Sequence, residues 1–169
     1  QIDDNYYETL AEAYTAATDG QTIILLDNIT LGEKFVIAKS ITLDGNDKTL
    51  TYTGEDRAID IYDASNDVEN VTIKDLTIKF TSESEYCQRG INYNEGGYLT
   101  LDNVTVDGSS VVTYAVNLPS KSTGANVTIT DSNITGKIAL NVWGASAIIN
   151  ATDSHFTSDD DVEAENYAA

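Results

Sequence analysis

Runs of closely spaced carboxylates are the residues of this chain with the clearest potential for chemistry. One run is Asp159, Asp160 and Asp161 with Glu163, and another is the Asp-Gly-Asn-Asp of residues 44–47. Carboxylate and carbonyl oxygens are the ligands that Ca²⁺ takes. The run at 44–47 lacks the terminal Glu of an EF-hand loop and is more simply a β-turn. A calcium site at the acidic run near the C-terminus and a merely solvated tail both remain open.

Nucleophilic catalysis has little support in the sequence. His155 is the only histidine and Cys87 the only cysteine, and neither has the partners or the spacing that a catalytic triad or a metal site needs. Paired carboxylates about 6.5–9.5 Å apart would suit inverting glycoside hydrolysis, but so acidic a chain offers such pairs almost anywhere. We therefore expect a protein that is not an enzyme, with Cys87 a bystander or a crosslink between subunits.

Tyrosines and asparagine sequons are the candidate binding and modification residues. Tyr86, Tyr93, Tyr98 and Tyr114 gather near the longer loops, where amphipathic rings either stack on sugars or pack against their neighbours. Six asparagines begin the N-glycosylation sequence Asn-X-Thr: Asn28, Asn70, Asn103, Asn126, Asn133 and Asn150. Repetition of one strand pattern inflates this number, so glycosylation at these residues stays a hypothesis.

The charge of the chain restricts its partners. A formal net charge of −19 argues against nucleic acid and against anionic membrane surfaces, and it suits cations or basic partners. No run approaches the roughly 18 consecutive apolar residues of a membrane span. The chain starts at Gln1, which is either a signal-peptidase product or an artificial start. We favour secretion, with the protein at the cell surface or in the cell envelope.

A repeated strand pattern predicts the elements that must position these residues. One repeated segment begins at residues 41, 71, 99, 127 and 149. It contains a short strand of alternating apolar and polar residues, a polar corner and a second such strand. A second set, of the form small–aliphatic–Asp/Asn–apolar, begins at residues 58, 90, 115 and 139. We predict a single domain over 1–169, an all-β, right-handed parallel β-helix of triangular section. Residues 22–157 should form about six incomplete coils of three strands each.

Strand alternation predicts which side chains stack from coil to coil. Val71, Leu99 and Val127 should point inward in one column. The outward ladder, about 4.8 Å between coils, should contain Thr42, Thr72, Thr100 and Thr128. An outward or corner column, in which stacked amides hydrogen-bond along the column, should contain Asp60, Asn92, Asn117 and Asn141.

Both ends of such a solenoid require cover. Residues 5–18 predict a short amphipathic helix that covers the first coil, with Asn5 as its N-cap and Glu8 three residues on. Its apolar face should contain Leu10, Ala13, Tyr14 and Ala17. The acidic tail, residues 158–169, has no apolar stripe large enough to cap the last coil. We expect either this tail or a neighbouring molecule to cover the open strand edges there.

Two segments near the start of the chain carry a family resemblance. Residues 19–26, Asp-Gly-Gln-Thr-Ile-Ile-Leu-Leu, and 39–45, Lys-Ser-Ile-Thr-Leu-Asp-Gly, resemble the opening of pectin-lyase-like β-helix proteins of prokaryotic cell surfaces. The resemblance extends over nearly the whole chain, and it implies a fold rather than a function, because that superfamily includes lyases, hydrolases, adhesins and sheath-forming envelope proteins.

A pectate-lyase-like member would imply a calcium-binding carboxylate cluster and a basic residue that abstracts a proton. In this chain those residues would be Asp60 and Asp63 with Arg57 and Arg89. The alternative is that the two arginines balance part of an acidic surface.

Three functions remain open on this sequence. We rank first a non-enzymatic extracellular structural protein that assembles with copies of itself, through β-strand edges, into a sheath, surface layer or filament. An adhesin-type domain that binds glycan or protein through the loops and their tyrosines comes second. A small polysaccharide lyase or hydrolase comes third. No cofactor is expected, with Ca²⁺ the one exception.

Overall fold

The chain folds into a parallel β-solenoid, as the repeats predict. The computed structural model describes residues 1–64, 68–81, 88–108 and 112–158. Its elements are α1 (Leu10–Ala16), β1 (Thr22–Ile24), β2 (Ile29–Leu31), β3 (Phe35–Ile37), β4 (Thr42–Tyr52), β5 (Arg57–Ile61), β6 (Asn70–Phe80), β7 (Arg89–Tyr93), β8 (Tyr98–Asp107), β9 (Tyr114–Leu118), β10 (Asn126–Thr130), β11 (Asn133–Gly136), β12 (Ile138–Val142), β13 (Ile148–Thr152) and β14 (His155–Ser158).

Two parallel sheets wrap around one narrow core. One sheet contains the path β1-β4-β6-β8-β10-β13 with β2, β11 and β14 attached, and the other has the order β3-β5-β7-β9-β12. Strands β4, β6 and β8 are long because each bends through a corner and so forms two sides of a coil. The segment between successive long strands returns through a strand of the second sheet. Each coil therefore contains three sides, as the two interleaved repeats predict.

The predicted register is confirmed along the core and the threonine ladder. Val71 pairs with Leu99, and Leu99 with Val127, and all three are buried. Thr42 pairs with Thr72, Thr72 with Thr100 and Thr100 with Thr128. A one-residue slip would turn every apolar side chain of a coil outward, so the apolar pattern fixes the register.

The amide column forms as predicted but lies deeper than predicted. Asn92 Nδ2 donates to Asp60 Oδ1 at 2.7 Å, Asn117 Nδ2 to Asn92 Oδ1 at 2.6 Å, and Asn141 Nδ2 to Asn117 Oδ1 at 2.6 Å. Asp60, Asn92 and Asn117 are buried. Because buried amides lose water, each of these hydrogen bonds replaces one that the unfolded chain makes with solvent.

Aspartate and asparagine form the sharp corners of the coils. Asp75, Asn103, Asp131 and Asp153 occupy this position in successive coils, each with φ between 49° and 53°. Apart from glycine, Asn and Asp are the residue types that most readily adopt this left-handed conformation. In β4 the corner is longer: the register shifts between Asp44 and Lys48, so residues 44–47 form an irregularity inside a strand rather than the predicted separate β-turn.

The N-terminal helix covers the first coil but is shorter than predicted. It spans Leu10–Ala16, and the predicted start at Asn5 and Glu8 is wrong: Thr9 is the N-cap, in a capping box with Glu12. Asn5 is unsuitable because its backbone N–H already donates to Ile2 O at 2.9 Å. The predicted apolar face is confirmed, since Leu10, Ala13 and Ala17 are buried and Tyr14 packs against the core.

The two ends of the solenoid differ. In the first coil Ile23 and Ile37 are buried beneath α1 and the N-terminal residues. In the last coil Val142 is 40 % exposed and Phe156 38 % exposed, although their column partners Leu118 and Ile134 are fully buried. Within the described part of the chain, β12, β13 and β14 each pair along one edge only. Among the described residues, the core is therefore less covered at this end than at the first coil.

Candidate functional site

An open groove runs along the corner where strands of the second sheet lead back to the first. Its volume is about 550 Å³, and it is lined by Val68, Glu69, Asn70, Gly96, Gly97, Tyr98, Lys121 and Thr123. The backbone is close-packed beneath it: Tyr98 N donates to the Glu69 carbonyl oxygen at 2.7 Å. A Cβ at Gly97 would collide with that same carbonyl, so only glycine fits there. The groove is thus built on rigidly stacked turns.

Opposite charges and aromatic rings lie beside this groove. Lys121 Nζ sits 5.0 Å from the centre of the Tyr62 ring. Glu95 is only 1 % exposed, and its Oε1 accepts a hydrogen bond from Asp63 N at 2.6 Å. Burial raises the pKa of the Glu95 carboxyl, while the Asp63 N–H and the nearby Lys121 ammonium act in the opposite direction. The arrangement offers one exposed cation and aromatic surface to a ligand.

Of the three candidate tyrosines that the structure describes, only Tyr98 is placed to stack on a ligand. Tyr98 is 59 % exposed and lines the groove. Tyr114 is half-buried, with the Arg89 guanidinium 5.9 Å from its ring centre. For Tyr93 the packing alternative holds, because this side chain is fully buried in the column of Ile61. Tyr86 lies outside the described residues.

The four residues of the lyase hypothesis are brought together only in part. Arg57 pairs with Arg89 in adjacent coils, and Asp60 pairs with Asn92, as predicted. Asp63 lies two residues beyond the end of β5, and its backbone N–H donates to Glu95 Oε1.

The charged groups at this corner neutralise each other. Asp60 is buried and lies 3.4 Å from Lys34 Nζ and 3.8 Å from Arg57 Nε. It also accepts amide hydrogen bonds from Asn92 and Asn94. The Arg57 guanidinium donates to both oxygens of Asp56, at 2.7 and 3.0 Å. Such a network holds the end of the amide column, because a buried carboxylate must be paired to remain charged.

The six sequon asparagines lie at the surface, with differing local contacts. Asn28, Asn70, Asn103, Asn133 and Asn150 are exposed, and Asn126 is half-buried. Two of the amide nitrogens that a glycan would modify are engaged: Asn103 Nδ2 donates to Asp75 Oδ1 and Asn126 Nδ2 to the Gly124 carbonyl. A glycan at either residue would compete with that bond for space, so Asn28, Asn70, Asn133 and Asn150 are the better candidates.

The metal and cysteine hypotheses fall mostly on parts of the chain that the structure does not describe. Asp159, Asp160, Asp161 and Glu163 lie outside the described residues, as does Cys87. Among residues 1–64, 68–81, 88–108 and 112–158, no three His, Cys, Asp or Glu side chains lie close enough together to bind a metal ion. In those same ranges no helix is long and apolar enough to cross a bilayer. His155 pairs with Asn133, as predicted, and is exposed.

The positions of several residues at these sites could not be predicted from the sequence. Lys34 and Lys121 stand in turns that repeat no pattern, so nothing in the sequence placed them beside Asp60 or the groove. Nothing in the sequence distinguishes the buried Glu95 from the many surface carboxylates of this acidic chain. The burial of Tyr93 did have a signal, because it occupies the apolar fourth position of its repeat.

No family model, curated protein or solved structure matches this chain. Its fold and the chemistry of its own residues are therefore the basis for assigning a function.

Proposed function

We propose that this protein is a non-enzymatic structural component of the cell envelope that assembles with copies of itself through β-strand edges. The open last coil carries this proposal. Three strands, β12, β13 and β14, each have an edge there with no partner strand among the described residues, beside partly exposed core side chains. One backbone N–H of β12, that of Ala139, donates to Ser158 Oγ at 3.1 Å. Unpaired edges of this kind are templates for another chain unless they are covered.

The composition of the open end favours burial against a further strand layer. The exposed residues there include Val142, Trp143, Ile148 and Phe156, which are large and apolar. Large apolar side chains cluster in the buried centres of protein interfaces, and charged residues are depleted there. A neighbouring molecule at this end would extend both the hydrogen-bonded ladder and the core.

The test is the mass of the whole chain in solution. Sedimentation velocity over a range of protein concentrations, with electron microscopy of the same samples, is expected to show species larger than the monomer whose population rises with concentration. The assemblies should also persist in moderate denaturant, since strand pairing and core burial would hold them. A strictly monomeric protein at every concentration, salt and Ca²⁺ level would overturn the proposal.

An adhesin-type function is the second candidate, and the groove favours it. Tyr98 offers an exposed ring and Lys121 a cation in a groove large enough for a sugar or a peptide side chain. Binding on a glycan array that is lost in Tyr98→Ala and weakened in Lys121→Ala would support it. Tyr6→Ala is the matched control, because Tyr6 is also exposed but lies outside the groove. Tyr93→Ala is unsuitable as a test because that ring is part of the core.

A further inference from the structure

We infer that the partner at the open coil is a second copy of this chain, bound open end to open end about a two-fold axis. This inference rests on the proposed function and makes it specific. The last coils of two molecules form a closed dimer, and the last coil of one molecule does not bind the first coil of the next. Growth into a layer or filament would then require a different surface of the molecule.

The charge distribution favours a like partner at this end. The chain has a net charge of −19, yet between Ser132 and Ser158 only Lys137 and Asp153 are formally charged, and these two cancel. Residues 132–158 of the last coil are thus neutral in an otherwise acidic protein, and the five carboxylates of the tail begin only after Ser158. A basic partner would bind the acidic sides of the solenoid, where the electrostatic attraction is strongest. A neutral apolar end instead suits a partner surface of the same neutral, apolar composition.

The covered first coil argues against head-to-tail stacking. Gln1 exchanges two hydrogen bonds with Ile24 of β1, at 2.8 and 2.9 Å. The Tyr14 hydroxyl oxygen accepts a hydrogen bond from Ala38 N at 2.6 Å, just after β3. A strand edge that arrived at this end would have to displace these groups together with α1.

The amide column gives a second argument against stacking in one direction. Each amide nitrogen donates toward the preceding coil, so Asn141 presents its Oδ1 at the open end. In the first coil the same column position is Val36, which pairs with Asp60. A copy stacked head to tail would place a valine without a polar side-chain atom above this acceptor. An unpaired buried acceptor is unfavourable.

The acidic tail is a weaker candidate for covering this end. The three edge strands together present fourteen residues, five in β12, five in β13 and four in β14, on three sides of the coil. Residues 159–169 number eleven, include five carboxylates, and have Val162 and Tyr167 as their only large apolar side chains. One such segment cannot pair along three sides. A second copy presents three strands of matching length.

A two-fold axis through β13 gives a pairing that uses all three edges. The axis places β13 antiparallel to its own copy, and it brings β12 of one molecule against β14 of the other. Antiparallel edges pair through backbone N–H···O=C bonds as parallel edges do, although the spacing and slant of the bonds differ. Val142 and Phe156 of both copies then close one continuous core.

The first experiment compares three variants of the whole chain by sedimentation equilibrium. Phe156→Lys places a charge at the open core and is expected to raise the dimer dissociation constant at least tenfold. Tyr98→Lys is the matched control: it removes an equally large exposed ring from the side of the solenoid and should leave the dissociation constant within twofold. Tyr6→Lys tests the covered end and should behave like Tyr98→Lys. Circular dichroism confirms that each variant is folded.

The second experiment measures distances between spin labels in a Cys87→Ser background, and it does not depend on a core substitution. One sample carries Ala145→Cys beside the open end, and the other carries Ala11→Cys on the exposed face of α1. Two-fold pairing predicts a short distance between Ala145 labels. It also predicts that the Ala11 labels lie at opposite ends of the dimer. Their separation should exceed the combined height of two solenoids, roughly 50 Å at about 4.8 Å per coil.

The outcomes separate this inference from the function on which it rests. Oligomers with similar distances for both labels would indicate head-to-tail stacking, and that result overturns the inference while it leaves self-assembly intact. Oligomers that persist unchanged in Phe156→Lys would do the same. A monomer under all conditions overturns both proposals and assigns the cover of the open coil to the chain's own tail.

Discussion

At the scale of single residues, the amide column is where a small change should have the largest effect. Asn92 donates to Asp60 and accepts from Asn117, and it is buried. Asn92→Ala removes both bonds and leaves the Asn117 amide without its acceptor, so we expect the free energy of unfolding to fall by about 2 kcal/mol. Urea denaturation of the folded protein measures this. Asn150→Ala, at an exposed strand position, should change it by less than about 0.5 kcal/mol, and equal losses in the two variants would contradict the role of the column.

Glu95 gives a prediction about pH. Burial raises the pKa of its carboxyl in the folded protein, so the folded state holds this proton more tightly than the unfolded state does. Ionisation of Glu95 therefore destabilises the fold above the raised pKa, and this penalty disappears as the pH falls toward the ordinary glutamate value.

Glu95→Gln should consequently stabilise the protein at pH 7 by about 1 kcal/mol, because the buried charge is gone and the acceptor for Asp63 N remains. The difference in stability between variant and wild type should shrink as the pH approaches the ordinary glutamate pKa of 4.5. Thermal unfolding at a series of pH values checks both points. Glu69→Gln, which removes an exposed carboxylate next to the same groove, is the control; an equal gain there would attribute the effect to net charge alone.

At the scale of the elements, the corners test how the coils are bent. Asp131 has a φ of 49° and its N–H donates to the Thr152 carbonyl at 3.2 Å. Asp131→Val should destabilise the protein by about 1–2 kcal/mol, since a β-branched residue is strained in this conformation, whereas Asp131→Gly should be nearly neutral. Chemical denaturation of both variants measures the difference. Thr128→Val, at an ordinary strand position, separates corner strain from the general effect of valine; comparable losses at 128 and 131 would refute the explanation.

The elements also show which parts of the fold could be predicted from sequence. The column of Val71, Leu99 and Val127 was predictable because strand alternation and a repeated corner leave only one register that buries the apolar residues. The start of the helix was not predictable, because residues 5–8 and 9–12 both match the capping pattern. In the structure Asn5 forms a bridge with Ile2, and Thr9 is the N-cap. The groove beside Tyr98 depends on contacts between turns that share no repeat, so the sequence indicated its tyrosine but not Lys121 or the buried Glu95.

At the scale of the whole molecule, the contrast between a neutral end and acidic sides determines how association should respond to salt. Two copies with a net charge of −19 each repel one another at long range, and the proposed contact itself contains no attractive ion pairs among the described residues that salt would weaken. Salt shortens the range of this repulsion from about 30 Å at 0.01 M to about 8 Å at 0.15 M.

The dissociation constant of the dimer should therefore fall, by tenfold or more, as NaCl rises from about 0.01 M to 0.5 M, the range over which the screening length shrinks below the size of the molecule. Sedimentation equilibrium at each salt concentration measures it, with Phe156→Lys expected to remain monomeric throughout. CaCl₂ at matched ionic strength separates screening from specific calcium binding, since only a bound ion would give a larger effect than NaCl. Association that weakens with salt would mean that the contact is made by charge pairs, and so by the acidic sides of the solenoid instead of its open end.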